Sequence, residues 1–387
     1  MRPLEGILVV ALEQAVAVPF ATRQLADLGA RVVKIERPGT GDFARDYDRT
    51  VAGQASYFVW LNRGKQSIEL DIKDADDRRV LDALVDEADV FVCNFAPGAV
   101  ERLGLDAETL RGPRPELVHC TVSGYGTEGP YQAKKAYDLL VQCETGLLSV
   151  TGSADEPAKA GMSVADIAAG MYTYTGVLTA LYQRLRTGEG ATLHVAMIDA
   201  LAEWMTQPAL FAAYSQEPPR RTGARHPSIA PYGPFTCGDG HEVFLAVQND
   251  REWAALCAGL LERPELAMTP AFRHNTDRVA NRDELERLIE DTIGSRTVDD
   301  TIDRLERSGI ANARMRSAAE LLTHPQMVAR NRWHDIEIPG GRARAMLPPV
   351  SFAGDEPVLG SVPRLGQHNE QIRREFAGDR QPRDDVR

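Results

Sequence analysis

At 387 residues the chain exceeds a comfortable single-domain length, so two domains are expected. Its 43% hydrophobic and 26% charged residues are those of an ordinary globular protein, and no apolar run approaches the ~18 residues of a membrane span. A net charge of −12 argues against broad nucleic-acid binding, which needs a basic surface, but leaves room for a local basic pocket that takes an anion.

In chain order, GILVVAL (6–12) is a short apolar run of the buried-strand type, and the N-terminus reads as this first strand rather than a signal peptide. Residues 19–29, PFATRQLADLG, carry helical spacing between a proline and a glycine. ARVVKIE and SIELDI are the next strands. DADDRRVLDALVDEAD (74–89) is an amphipathic helix, acidic in its first turn and apolar at Val80, Leu81 and Leu84. VFVCNF and LVHCTVSG are further strands. Such alternation predicts an α/β fold with a mostly parallel, helix-covered sheet. A long helix is predicted from about Asp166 to Arg186, ended by TGEG. The proline-rich stretch 217–234 reads as a linker or binding loop, TCGDGHEVFLAV as a hairpin around Gly238-Asp239-Gly240, and 250–263 and 282–322 as helical. The polar tail beyond Gly378 is expected to fray. The expected division is a large domain at 1–217 completed by 321–387, with a smaller α+β domain at 218–320.

Cys93, Cys120, Cys143, Cys237 and Cys257 are scattered, with no CxxC pair. Reduced thiols of a soluble cytoplasmic protein are the simplest account. There is no GxSxG elbow and no HEXXH, and no metal is expected. His194, in the apolar LHVAM, reads as a core histidine; His226 is the better functional candidate. Gly124-Tyr125-Gly126-Thr127-Glu128-Gly129 matches GxGxxG, but Pro130, Tyr131 and the polar QAKK follow where a dinucleotide site needs a helix. Arg37 stands just past a strand end, where a guanidinium suits a phosphate or is merely an exposed turn. Asn94-Phe95-Ala96-Pro97-Gly98 leads from another strand towards a helix start, an anion site or an ordinary turn. Asp166, at the start of the long helix, admits two readings. An aspartate there is commonly a cap. A helix N-terminus also keeps a carboxylate ionised and in place, as a nucleophile requires. Composition alone leaves both open.

Together these motifs resemble class III CoA transferases, the CaiB/BaiF family, over nearly the whole chain. The carrying stretches are PLEGILVVALEQAVAVPFATRQLADLGARVVKIERPGTGDFAR, LNRGKQSIELDIK, NFAPGAVERLG, SGYGTEGPY, KAYDLLVQCETGLLSVTG and SVADIAAGMYTYTGVLTALYQR, with APYGPFTCGDG and HPQMVARN later. The resemblance implies a Rossmann-like large domain, a smaller α+β domain and an interlocked homodimer. It implies transfer of CoA between carboxylic acids, with Asp166 as the nucleophile, through an anhydride and an aspartyl-CoA thioester, and with backbone amides holding the oxyanions. Contacts to CoA are implied at Val16, Ala17, Arg37, Leu70, Asp71, Ile72, Lys73, Asn94, Phe95, Ala96, Arg102, Lys135, Ala136, Tyr137 and Asp138. Ala17-Val18-Pro19 departs from the family's Ala-Gly-Pro, and the glycine-rich loop of formyl-CoA transferases is absent. At that loop's position Arg225, His226 and Ser228 are candidates for a second carboxylate, as is Gln14 in the opening motif. The opening resembles relatives that use succinyl-CoA with malate, citramalate, itaconate or mesaconate. Two alternatives share the scaffold: a 2-methylacyl-CoA racemase, against which Ala136-Tyr137-Asp138 lacks the racemases' histidine, and a non-catalytic CoA-binding protein.

Overall fold

The computed structural model of the chain describes residues 2–215, 218–354 and 357–376; the tail beyond Gly378 lies outside them. Two compact units emerge. The first comprises Met1–Thr145, Ala160–Thr206 and the described residues from Val328 onward; the second comprises Gly146–Lys159 and Gln207–Met327.

The first unit is built on one six-stranded sheet. Its strands are β1 (Leu8–Leu12), β2 (Arg31–Glu36), β3 (Lys65–Glu69), β4 (Val90–Cys93), β5 (Val118–Ser123) and β6 (Thr192–Ala196). All pairings are parallel, in the order β3-β2-β1-β4-β5-β6, with Val9 of β1 opposite Val32 on one side and Val90 on the other. Every residue of β1 and β4 is buried, which is why both read as unbroken apolar runs.

The connecting helices are α1 (Ala17–Asp27), α2 (Ser56–Asn62), α3 (Ala75–Glu87), α4 (Ala99–Arg102), α5 (Ala107–Arg111), α6 (Asp138–Glu144) and α8 (Val164–Thr187); the short α7 (Leu147–Val150) belongs to the second unit. On one face of the sheet, Val80, Leu81, Leu84 and Val85 of α3 pack against Val10, Leu12, Val33, Ile68 and Phe91. The C-terminal helix Asn369–Phe376 adds Ile372 and Phe376 to that core. Burying each such side chain contributes roughly 1.5–3 kcal/mol. The same segment covers the outer edge of β3: Ser67 N donates to His368 Nδ1 (3.1 Å) and Glu69 N to Asn369 Oδ1 (2.8 Å). An otherwise open sheet edge is thereby sealed. Helices α1 and α8 pack against each other through Gly170, where a Cβ would stand 2.6 Å from the Ala17 carbonyl oxygen. A hairpin of β10 (Trp333–Ile338) and β11 (Gly341–Met346) has no counterpart in the sequence reading.

The second unit holds a three-stranded antiparallel sheet of β7 (Tyr232–Thr236), β8 (Glu242–Ala246) and β9 (Ala311–Arg314), with the turn read around Gly238-Asp239-Gly240 joining the first two. Its core gathers Phe235, Val243, Leu245, Trp253, Leu285, Ile289 and Leu305. The helical stretch expected over 282–322 is instead two helices, Arg282–Ile293 and Val298–Arg307, followed by β9. Gly294 ends the first, and Gly309, at φ +67°, turns the chain after the second. No described helix is long and apolar enough to cross a membrane.

Candidate active site

Because all six strands are parallel, the loops that follow them emerge along one edge, and α8, which precedes β6, begins at that same edge. Strand order reverses between β1 and β4, the place where open α/β sheets bind ligands. There Asn94 ties the two loops together: its Oδ1 accepts from Gln14 N (3.0 Å) and its Nδ2 donates to Gln14 O (2.9 Å). Asn94 thus holds the two loops together. The Gln14 side chain is left without a partner among the described residues. Ala15, at φ +60°, turns the chain sharply into α1.

A buried ionic network that the sequence reading missed lies beneath this loop. Glu13 Oε1 meets Lys65 Nζ at 2.6 Å and Lys34 Nζ at 3.3 Å, and Lys34 Nζ meets Asp42 Oδ2 at 2.8 Å. Asp42 Oδ1 accepts from Ala15 N (3.1 Å), so the charges hold the loop's backbone. Glu36 joins Arg45 (2.7 Å) and Ser67 Oγ (2.6 Å); although burial opposes it, these partners hold its carboxyl down to about 2. Burial pushes Lys65 down, and the carboxylates around Lys34 more than offset its burial and hold it up. Breaking one such buried pair costs about 3–5 kcal/mol, because it strands the partner's charge.

The first turn of α1 is open. Its N-terminal flank is Val16, which offers no capping side chain, and no described residue accepts from the amides of Val16, Ala17 or Val18. These donors lie at the switch point and suit an anion. The predicted cations sit along the same edge: Arg37 after β2, Lys73 after β3, Arg102 after β4 and Lys135 after β5. All four are exposed, and none has an ion-pair partner among the described residues. Of the run after β3, Leu70 and Ile72 pack on the core, while Asp71 and Lys73 are exposed and Asp71 Oδ1 accepts from Lys73 N (3.1 Å). Phe95 packs against the core, while Ala96 is exposed.

The GxGxxG stretch has a packing explanation. A Cβ on Gly124 would stand 2.1 Å from that of Ala136, and no helix begins until Asp138. Tyr137 is exposed.

Asp166 occupies the third position of α8, not its cap. The flanking Ser163 makes no capping bond and instead meets Tyr57 Oη at 3.2 Å. Asp138 closes the helix: its Oδ1 accepts from Ala165 N (2.8 Å) and Asp166 N (3.4 Å), and its Oδ2 accepts from Gln142 Nε2 (2.6 Å). Val164 N and Ile167 N donate to Met162 O and Ser163 O, so every first-turn amide of α8 is engaged. No described residue donates to the part-buried Asp166 carboxylate. Burial, and then the Asp138 charge, push it up to about 7. The sequence reading had the helix keeping this group ionised; here the helix end serves Asp138 instead. Tyr47 feels both Asp42 and Asp166, and with burial first among the causes its hydroxyl is pushed up to about 12. Tyr47 and Tyr57 pack edge-to-face at 5.7 Å, and the Tyr57 hydroxyl reaches Ser163 at the start of α8.

In the second unit, Arg225 Nε is held by Glu286 (2.8 Å), His226 stacks on Tyr232 and accepts at Nδ1 from Ser228 N (3.2 Å), and Ser228 O accepts from Asn275 (2.8 Å). These three residues are fastened to their own unit. His194 is exposed on β6, bonded to Thr121 Oγ1 at 2.8 Å, rather than lying in the core. Edge strand β6 turns that side chain outward.

The sequence model of CoA-transferase family III matches residues 4–369. An acetyl-CoA:oxalate CoA-transferase of Acetobacter aceti is 36% identical over 97% of this chain and 96% of its own. A succinyl-CoA:mesaconate CoA-transferase of Haloarcula hispanica is 34% identical over 96% of each chain. Among solved structures, a CAIB/BAIF family protein from Brucella suis superposes with a TM-score of 0.86 at 34% identity, covering 97% of this chain and 99% of that one.

Proposed function

The chain belongs to CoA-transferase family III, and on that premise we propose that it moves CoA from a dicarboxylyl-CoA such as succinyl-CoA to a second dicarboxylic acid, with Asp166 as the nucleophile. The observation that carries this reading is the Asp166 carboxylate, left without a donor one helical turn before the Gly170–Ala17 contact that brings α8 against the start of α1. Ionised Asp166 attacks the thioester carbonyl; the C–S bond breaks, leaving an acyl-aspartyl anhydride and CoA thiolate. Thiolate attack on the Asp166 carbonyl expels the first acid and gives an aspartyl-CoA thioester. The acceptor carboxylate then attacks that thioester, and the released thiolate takes the new acyl group, which restores Asp166. Each step exchanges groups of similar reactivity, so no ATP is consumed.

The acyl-CoA phosphates suit Arg37, Lys73, Arg102 and Lys135 together with the open turn of α1. The acids named in the Acetobacter and Haloarcula relatives, oxalate and mesaconate, are both dicarboxylates, which supports a dicarboxylic acceptor here. Gln14, in the loop before α1, and Tyr47, which feels the Asp166 charge, are candidates to meet its second carboxylate. Outward-facing Tyr182 and Leu185 on α8, 61% and 84% exposed, support association of two copies, and five free thiols suit the cytoplasm. The test is a panel of acyl-CoA donors and dicarboxylates followed by mass spectrometry. Transfer without ATP, with an adduct on Asp166, is expected; full turnover by Asp166→Ala would overturn the mechanism.

A further inference from the structure

In the first turn of α8, Val164 N and Ile167 N find main-chain acceptors in Met162 and Ser163, but the Ser163 side chain caps neither Ala165 N nor Asp166 N. The acceptor comes from another helix, α6, whose first residue is Asp138. Its two oxygens are fully spoken for: one by Ala165 N and Asp166 N, the other by Gln142 Nε2. Gln142 is itself buried, and its Oε1 accepts from Ala160 N (3.0 Å) in the segment leading into α8. The clasp therefore has two jaws, one on the helix end and one on the segment before it.

We propose that Asp138 is a positioning residue for Asp166: held by Gln142, its carboxylate closes the amide end of α8, fixes the turn that carries the nucleophile, and denies that turn's amides to any other anion. This rests on the reading of Asp166 as nucleophile. Two consequences separate it from a purely structural cap. Asp138 puts a fixed negative charge next to the nucleophile, and it occupies the amides that a tetrahedral oxyanion would otherwise use.

The other charges on elements packed against α8 do not substitute for it. Arg23 and Asp27 on α1 pair with each other, Glu144 on α6 pairs with Lys134, and His194 on β6 bonds Thr121. Neither these nor Asp199 and Glu203 on the helix Met197–Trp204 add to the effect of Asp138 on Asp166. Tyr47 also feels the Asp166 charge.

The experiment follows formation of the Asp166 adduct in single turnovers of the full-length enzyme with succinyl-CoA, quenched and read by intact mass from pH 5 to 9. It compares wild type, Asp138→Asn and Asp138→Ala. The asparagine oxygen still accepts from α8 while the charge and the bond from Gln142 Nε2 are lost, so its acid limb is expected to move about one pH unit lower. Asp138→Ala loses the clasp and is expected to slow adduct formation ~10-fold or more across the range, with kcat rather than KM carrying the loss. A limb that stays in place in Asp138→Asn, or wild-type rates in Asp138→Ala, would overturn the inference. Absence of any adduct in wild type would sink the nucleophile reading and this inference with it, a result distinct from either of those. Thermal melting of each variant shows that it is folded; if the alanine variant is not, the asparagine limb alone decides.

Discussion

Helices α1 and α8 both start at the carboxyl edge of the sheet and pack together, yet their first turns are finished in opposite ways. The turn of α1 follows a tightly held loop: Asn94, Asp42 and the Glu13–Lys34–Lys65 network fix residues 13–15 and leave the amides beyond them unspent. The turn of α8 has all its amides spent, two of them on a carboxylate from α6, while its own carboxylate is unspent. One end is a donor site without an acceptor; the other carries an acceptor without a donor. An acyl-CoA needs both: donors for its anionic groups and a free carboxylate for its carbonyl. The contrast shows that a helix start alone does not define a site. What matters is whether the chain has already satisfied it.

The largest expected effect comes from removing the unspent carboxylate. Asp166→Ala should cut turnover ~10⁴-fold or more while acyl-CoA binding, measured by calorimetry, stays within a few-fold. Next is the contact that joins the two turns. In Gly170→Ala the new methyl meets the Ala17 carbonyl and the Phe20 ring, and overpacking of this kind costs roughly 1–3 kcal/mol. Both a lower melting temperature and a lower kcat are expected; a variant with unchanged kcat would mean that the two turns need not touch. Smaller again is the open end itself. Val16→Ser supplies the cap that α1 lacks, which should raise KM for acyl-CoA several-fold and leave kcat nearer to wild type. Arg37→Ala should raise the same KM about 10-fold, a loss of ~1.4 kcal/mol, and should do so less at high salt.

These expectations also mark what the sequence disclosed. Strands β1, β2, β4 and β5 were legible as short, largely apolar runs, β3 only in part, since its observed span KQSIE is mostly polar and starts before the predicted SIELDI, and α3 because its acidic first turn and apolar spacing agree. Edge strand β6 was hidden: TLHVA alternates with an exposed histidine and reads as neither strand nor helix. The strand-end residues Arg37, Asn94 and Arg102 were legible as positions, since parallel strands put their following loops on one edge. Their division of labour was not, because Asn94 is consumed by Gln14 eighty residues away. The ionic network left a trace that could have been read. Lys34 and Glu36 sit beside Val32, Val33 and Ile35 in the buried part of RVVKIE, and a charge in a buried strand demands a partner. Asp138 was legible only as an implied CoA contact; its role at α8 left no trace, for those partners come from more than twenty residues away with no periodic signal between.

The smallest effect concerns stability, and it runs against activity. Burial and Asp138 raise the Asp166 carboxyl from an ordinary 3.8 to about 7, so the folded chain holds this proton where the unfolded chain releases it. Folding is then favoured by protonation, and its stability falls as pH rises from about 4 through about 7. Asp166→Asn keeps the shape and removes the charge. It should melt a few degrees higher than wild type at pH 8, on the scale of ~2–4 °C per kcal/mol, with the gap closing towards pH 4. A gap of the same size at both pH values would assign the stabilisation to something other than charge. A gap of the opposite sign would mean that Asp166 is better satisfied in the free enzyme than its lack of donors indicates, and the contrast between the two helix starts would lose its second half.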